Sequence, residues 1–541
     1  MAPAAGDRGG EEHMGRPTAH TEAGSVEGVH CRDRSIALFR GIPYAAPPVG
    51  ELRWKPPQPP VAWDGVRPAD RFGPMCPQVP TAGTGVDMPM SEDCLSLNIW
   101  TGAAYREERR PVLVWIYGGG FREGTGANPR YDGENLARSG LTVVTFNYRL
   151  GAFGFLATPE LSAESDNRSS GNYGLLDCLA VLRWVRDNIG HFGGDPDRVT
   201  IAGQSAGAGM VNFLAMSPLA KGLFRRAVAQ SHARHPGDPE LRYLSTSYRT
   251  STAAETAGDR YARAHGASTA DELRSLHWRK LIDGNHPVDV SVDTGGPASP
   301  PLFRPVVDGW ALPAGYDETY TKGLQNDVDY LAGNNLDEAG AVPEAMAAAL
   351  RVGRRRTRPG APAVTTTVEQ HVTAARRKFG PLADEFLRLY PAATDHEAAR
   401  AGSEAARDNS RISTYLWGSD WTRRVAGTLH TYFWTHRTPA GDGGPRRAGH
   451  GSEIDYVFGN TTAHIGTWTE ADREIARVVS AYWANFAATG DPNGHGLPHW
   501  PAYSADARTV MELGARCRPV PVSDPVRTDF WTRFFRTQQA W

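Results

Sequence analysis

The chain has 541 residues, 59 of them glycine, with 58 Lys and Arg against 60 Asp and Glu and a formal charge of −2. This length can bury a large core, and the balanced, dispersed charge leaves no basic excess for a phosphate backbone, so nucleic acid is not an expected partner. The apolar runs are far shorter than the ~20 residues a membrane-crossing helix needs, and the five cysteines form neither a disulfide scaffold nor a zinc-site spacing, so neither membrane nor metal is expected.

In chain order, residues 1–21 are rich in glycine, proline and charge and read as a flexible tail. They contain no apolar stretch of the kind that directs secretion, which makes a cytoplasmic location the expectation. "PVLVWIY" (111–117) and "LTVVTFNY" (141–148) are short apolar runs bounded by turn residues, the pattern of buried strands. "GLLDCLAVLRWVRDNIG" (174–190) repeats Leu175, Leu179 and Leu182 at helical spacing and stops at Gly190. Strand patterns return at "RVTIAG" (198–203), "RRAVAQS" (225–231), "DVDYLAGN" (327–334) and "HTYFWTHR" (430–437). Helical segments near 250–283 and 340–430 read as caps. Strands alternating with helices predict an α/β fold, a large and mostly parallel sheet with helices on both faces, whose chemistry lies in loops at the carboxyl ends of the strands. No linker divides the chain, which reads as one domain over 22–541.

"GQSAG" (203–207) lies between the strand pattern ending at Gly203 and "AGAGMVNFLAM", whose small and then apolar residues suit a packed helix. A strand, a sharp turn and a helix are what exposes a nucleophilic serine, and small residues on either side of Ser205 let the strand and helix approach. A serine hydroxyl needs a base and a carboxylate to orient that base, and 17 histidines and 60 acidic residues offer too many candidates for composition to choose. Upstream, "GGG" (118–120) follows a strand end, where backbone N–H groups can form an oxyanion hole.

The chain resembles the type-B carboxylesterases, the family that includes the cholinesterases, over nearly all its length from about residue 22. The resemblance rests on "RGIPYAAPPVGELRW" (40–54), "SEDCLSLNIW" (91–100), "PVLVWIYGGGF" (111–121), "NYRLGAFGFL" (147–156), 171–209 with its "GQSAGAG", "GNNLDEAG" (333–340), "HGSEIDYVFG" (450–459) and "YWANFAATGDPNG" (482–494), all in family order. It implies an α/β-hydrolase fold, Ser205 as nucleophile, Glu338 as acid and His450 as base, with Gly119, Gly120 and Ala206 as oxyanion donors and no cofactor. Asp337 is the competitor for the acid; the family motif places the acid directly before the small-residue pair, which favours Glu338. Gln204, beside the serine, and Ser231, near the acid and base, are expected to support these residues from behind, Ser231 through a hydrogen bond. Cys76 and Cys94 match a family disulfide pair and are expected side by side, their oxidation state left open. Arg53 with Glu92 and Arg149 with Asp177 match structural ion pairs, while His191, His232, His495 and His499 are expected on the surface or in loops, and Cys31, Cys178 and Cys517 as unpaired thiols.

Two departures bear on substrate. Gln204 stands where many relatives have Glu, which removes a negative charge beside the serine, and "QSHARH" (230–235) puts His232 and Arg234 where relatives shape the acyl side, either narrowing or polarising that side or facing solvent. Between Cys76 and Cys94 there is no aromatic residue to hold a quaternary ammonium, and "AGAVPEAMAAAL" (339–350) lacks the aromatics of narrow-gorge relatives. The expected activity is hydrolysis of uncharged, bulky or hydrophobic small-molecule esters through an acyl-enzyme. A transesterase, lactonase or cyclase shares that intermediate and remains an alternative; a non-catalytic scaffold is a remote one. The sequence leaves the oligomeric state open.

Overall fold

In the computed structural model, residues 15–79, 87–242, 247–282, 287–292, 299–338, 367–439, 446–461 and 467–540 are described. Eleven strands form one sheet. From edge to edge they are Arg518–Pro521, Thr509–Leu513, Leu429–Trp434, Asp329–Asn335, Arg226–Gln230, Gly194–Gln204, Arg110–Ile116, Thr142–Phe146, Ser96–Thr101, Ala37–Pro43 and Val29–His30. The run from Thr509–Leu513 to Thr142–Phe146 is parallel throughout, and the outer strands at both ends are antiparallel.

The sheet is buried on both faces, which explains why its central strands read as continuous apolar runs rather than alternating ones. In Arg110–Ile116 every residue after the first is buried, as is all of Thr142–Phe146. The helix Tyr173–Asn188 packs its leucines into the core, and the helix Ala206–Met216 is buried along its whole length, which its Ala and Gly content permits. The strands towards the two edges of the sheet, Ala37–Pro43, Ser96–Thr101, Thr509–Leu513 and Arg518–Pro521, are not among the strand patterns read from the sequence. Pairing with neighbours in the sheet decides them.

The range 250–283 contains the helices Ser251–Ala264, Ala270–Ser275 and Trp278–Ile282, and the described part of 340–430 contains Val368–Phe379, Ala383–Leu389 and Asp395–Thr422. Residues 339–366, including the aromatic-poor stretch after Glu338, lie outside the described residues. Part of the expected tail has a fixed place: Thr18–Thr21 pairs with Gly24–Glu27, which in turn pairs with Val66–Pro68. Gly24, at φ +147°, closes that hairpin, and Thr21 Oγ1 donates to its carbonyl at 2.8 Å. Among the described residues no helix is long and apolar enough to cross a membrane.

Candidate active site

Ser205 sits between the strand Gly194–Gln204 and the helix Ala206–Met216 at φ 58°, ψ −125°, a conformation L-residues rarely adopt. Its N–H donates to the Gln230 carbonyl at 2.9 Å, and its own carbonyl accepts from Gly209 at 2.9 Å, so neighbouring strand and helix both hold the strained turn. The flanking glycines are required by contact. A Cβ on Gly207 would lie 2.0 Å from the Ile116 carbonyl oxygen, and one on Gly203 would lie 2.6 Å from the Gly207 backbone.

Beyond the end of the strand Arg110–Ile116, Gly119 (φ 115°) and Gly120 (φ 62°) turn the chain beside the serine; a Cβ on the preceding Gly118 would stand 3.0 Å from that of Ser205. Among the described residues the N–H groups of Gly119 and Gly120 enter no backbone hydrogen bond. Ala206 is the first residue of its helix, so its N–H has no partner one turn back. Among the described residues, three N–H groups without a backbone partner thus lie at or beside Ser205, a set able to hold a negatively charged oxygen.

Glu338 follows the strand Asp329–Asn335 and is buried. Its Oε1 accepts the Asn335 N–H at 2.9 Å and a short hydrogen bond from the Ser231 hydroxyl, and faces His450 Nδ1 at 3.7 Å, an ion-pair separation. Burial pushes the Glu338 pKa up, but the facing His450, the Ser231 hydroxyl and the Arg234 charge outweigh it and hold the carboxyl below its ordinary value. For His450, loss of surrounding water pushes the pKa down; Glu338 and then Glu453 push it up, and the net direction is up. Half of the imidazole remains open to solvent, the access a general base requires. The Ser205 hydroxyl is not hydrogen-bonded to His450 in this structure; the near neighbour of the imidazole Nε2 is Gln204 Nε2 at 3.2 Å.

Asp337 points elsewhere. Its Oδ1 accepts from Arg407 at 2.9 Å and its Oδ2 from the Ala448 N–H at 3.0 Å, and its backbone bridges to Gly449. It therefore ties the acid-bearing loop to the histidine-bearing loop without facing the imidazole. Asn335 reinforces that tie by donating to the Gly449 carbonyl at 2.8 Å and to Glu453 Oε2 at 2.5 Å. Glu453 is fully buried, takes a second hydrogen bond from Gln230 at 2.8 Å, and burial raises its pKa. Arg130 donates to the Gly451 carbonyl at 2.6 Å and pairs with Asp455. Sequence reasoning singled out none of Arg130, Gln230, Asn335 or Glu453 as site residues, although Asn335 and Glu453 stand inside the "GNNLDEAG" and "HGSEIDYVFG" segments.

Ser231, at φ 67°, follows the strand Arg226–Gln230, which lies next to Gly194–Gln204, and reaches Glu338 from there. Arg234 does not face solvent: it is buried and paired with Asp238 at 2.9 Å, behind the acid. His232 lies in a loop, one of the two placements expected of it, but not at the surface. It is fully buried, Nδ1 2.7 Å from Asn212 Nδ2 and Nε2 3.2 Å from the Tyr316 hydroxyl, because its loop dives under the helix Ala206–Met216. His191, His495 and His499 are exposed.

Arg53 and Glu92 form a buried two-pronged pair at 2.6 Å, and Arg53 also donates to the carbonyls of Leu273, Arg274 and Leu276, clamping the helix Ala270–Ser275. Arg149 and Asp177 pair likewise within the core. Cys76 and Cys94 are buried side by side as free thiols; the hydrogen bond that the Cys94 thiol donates to Cys76, together with burial, raises the Cys94 pKa well above its usual value. Cys31, Cys178 and Cys517 are free as well. A cavity of about 490 Å³ between Tyr44, Pro56–Pro60, Trp184 and Trp310 does not border Ser205.

The sequence profile of the carboxylesterase family matches residues 15–531. The chain is 36% identical over 513 residues to the fumonisin B1 esterase of Sphingopyxis macrogoltabida, covering 92% of this chain and 86% of that protein. It is 33% identical over 516 residues to the phenmedipham hydrolase of Pseudarthrobacter oxydans, covering 92% and 95%. Among solved structures, a PNB esterase superposes with a TM-score of 0.75 at 28% identity, over 96% of this chain and 100% of that one.

Proposed function

This chain belongs to the carboxylesterase family and hydrolyses carboxylic esters, and we propose that Ser205 is its nucleophile, His450 its general base and Glu338 the carboxylate that orients the base. The carrying observation is the convergence of three loops at strand ends. One holds Ser205 in its strained turn, one brings Glu338 to 3.7 Å from His450 Nδ1, and the third brings the imidazole to the residue next to Ser205.

In the reaction, Ser205 Oγ attacks the ester carbonyl carbon while its proton passes to His450 Nε2. The carbonyl oxygen takes the negative charge and accepts hydrogen bonds from the N–H groups of Gly119, Gly120 and Ala206; one such donor typically contributes about 3 kcal/mol to the transition state. The bond to the alcohol oxygen then breaks, and the alcohol leaves with the proton from Nε2. Water attacks the Ser205 acyl-enzyme by the same route, giving the acid and restoring the serine. Glu338 holds the imidazole with its proton on Nδ1 and stabilises the imidazolium that forms twice per cycle.

Uncharged esters are the favoured substrates in this reading. Gln204 puts a neutral amide beside the serine, and the described residues between Cys76 and Cys94 offer no aromatic face to a quaternary ammonium. The test is a series of p-nitrophenyl esters of increasing acyl length, with acetylcholine alongside, assayed on wild type and Ser205→Ala. Wild type turns over the aryl esters and not acetylcholine, and the variant turns over neither. Equal turnover by the variant overturns the nucleophile; comparable rates on acetylcholine overturn the substrate preference.

A further inference from the structure

His450 Nε2 has to receive the Ser205 proton, yet in this structure the nitrogen of the Gln204 side-chain amide stands 3.2 Å from it. The contact has a built seat. Gln204 is buried, and its amide lies between two glycines: a Cβ on Gly118 would stand 3.4 Å from Oε1, and one on Gly451 would stand 3.3 Å from Cδ, Nε2 and Oε1 alike. Gly451 is at φ +72° and its carbonyl is tied to Arg130, so the histidine loop is fixed over the face of the amide. With the amide nitrogen facing the ring, an NH₂ that can only donate pairs with an accepting imidazole Nε2, and the ring proton then belongs on Nδ1, towards Glu338.

We propose that Gln204 is a positioning residue for the base: its amide donates to His450 Nε2, fixes the neutral imidazole with its proton on Nδ1, and opposes protonation of the ring until substrate is bound. The inference rests on the reading of His450 as general base. The charged groups facing the ring are Glu338 from the loop after Asp329–Asn335, Glu453 from the ring's own segment and Arg234 from the loop after Arg226–Gln230. The two carboxylates favour the imidazolium; Arg234 and the Gln204 donor disfavour it. A carboxylate at position 204 would add a third anion and no donor. When Nε2 takes the serine proton, the contact survives only if the amide turns over and offers Oε1, which an amide can do and a methionine cannot.

The test is the pH dependence of kcat/KM on one p-nitrophenyl ester for wild type, Gln204→Glu and Gln204→Met, with Ser205→Ala beside them. An opposite charge at this distance shifts a pKa by about 1 to 3 units, so the acidic limb of Gln204→Glu moves up by at least about one pH unit, a loss near tenfold one unit below the wild-type limb. Gln204→Met loses the donor without gaining a charge, and its limb moves up by less than that of Gln204→Glu. Limbs that coincide for all three proteins, or a Met limb that moves down, overturn the inference while an inactive Ser205→Ala leaves the nucleophile standing. An active Ser205→Ala overturns the reading beneath it instead. Should Gln204→Glu not fold, the Met limb decides together with the nitrogen resonances of His450 in ¹⁵N-histidine-labelled wild type. A ring protonated on Nδ1 alone at pH 8 is expected, and one protonated on Nε2 refutes the contact.

Discussion

Neutralising Glu338 and Asp337 in turn separates two adjacent carboxylates that the chain presents side by side. Glu338 Oε1 lies 3.7 Å from His450 Nδ1. At an effective dielectric constant of about 20, two unit charges at that separation attract by about 4.5 kcal/mol. Half of the imidazole faces water, which screens the pair, so about 3 kcal/mol is the working value for the imidazolium that Glu338→Gln leaves unsupported. At 1.36 kcal/mol per decade this is on the order of a hundredfold in kcat/KM. Asp337→Asn keeps an oxygen for the Ala448 N–H and loses its charge against Arg407, so it weakens the link between the two loops without touching the imidazole. Its melting temperature falls and its kcat/KM stays within about tenfold, because the effect passes through loop position rather than charge at the base. Steady-state kinetics on p-nitrophenyl butyrate at pH 8, with thermal melts of both variants, decide the matter. A hundredfold loss in Asp337→Asn beside less than tenfold in Glu338→Gln would refute the assignment of the acid.

Ser231→Ala removes a hydroxyl that donates to the buried Glu338 carboxylate, a contact of about 1.5 to 3 kcal/mol for a charged acceptor. The folded pKa of Glu338 is depressed, so its contribution to stability is present above the ordinary carboxylate value and is lost as pH falls through the folded value. In the variant that folded value rises, and acid unfolding followed by tryptophan fluorescence begins at higher pH; Ser231→Gly, which suits φ 67°, shows the same shift if the hydroxyl is responsible. An unmoved acid transition in both variants would exclude the hydroxyl's role. Gly207→Ala drives a methyl to 2.0 Å from the Ile116 carbonyl, against the Ile116–Tyr117 backbone that cannot swing away as a side chain would, an overpacking expected to exceed the usual ~1–3 kcal/mol. Soluble yield and kcat/KM both collapse, while Gly190→Ala, with nothing within 4 Å, changes neither; a normally active Gly207→Ala would contradict the geometry of the turn.

The sequence by itself determined the parallel centre of the sheet, because strands buried on both faces must be apolar without alternation, as in "PVLVWIY" and "LTVVTFNY". It also determined the turn at Ser205, since only glycines at 203 and 207 let that strand and helix meet. The outer antiparallel strands are not among the patterns read from the sequence: Arg518–Pro521 carries two prolines and almost no buried surface, and it is a strand because Thr509–Leu513 lies beside it. The family motif favours Glu338 over Asp337, but the physical reason that Glu338 faces His450 lies in tertiary contacts. Asp337 and Glu338 differ by one position and one methylene, and the choice is made by Arg407 and Ala448, 70 and 111 residues away, which take up Asp337 and leave Glu338 for Ser231 and His450. Tertiary structure decided the environment of the base in the same way. That Gln204 reaches His450 Nε2 depends on a loop arriving from 246 residues along the chain, a proximity that no local pattern of residues encodes.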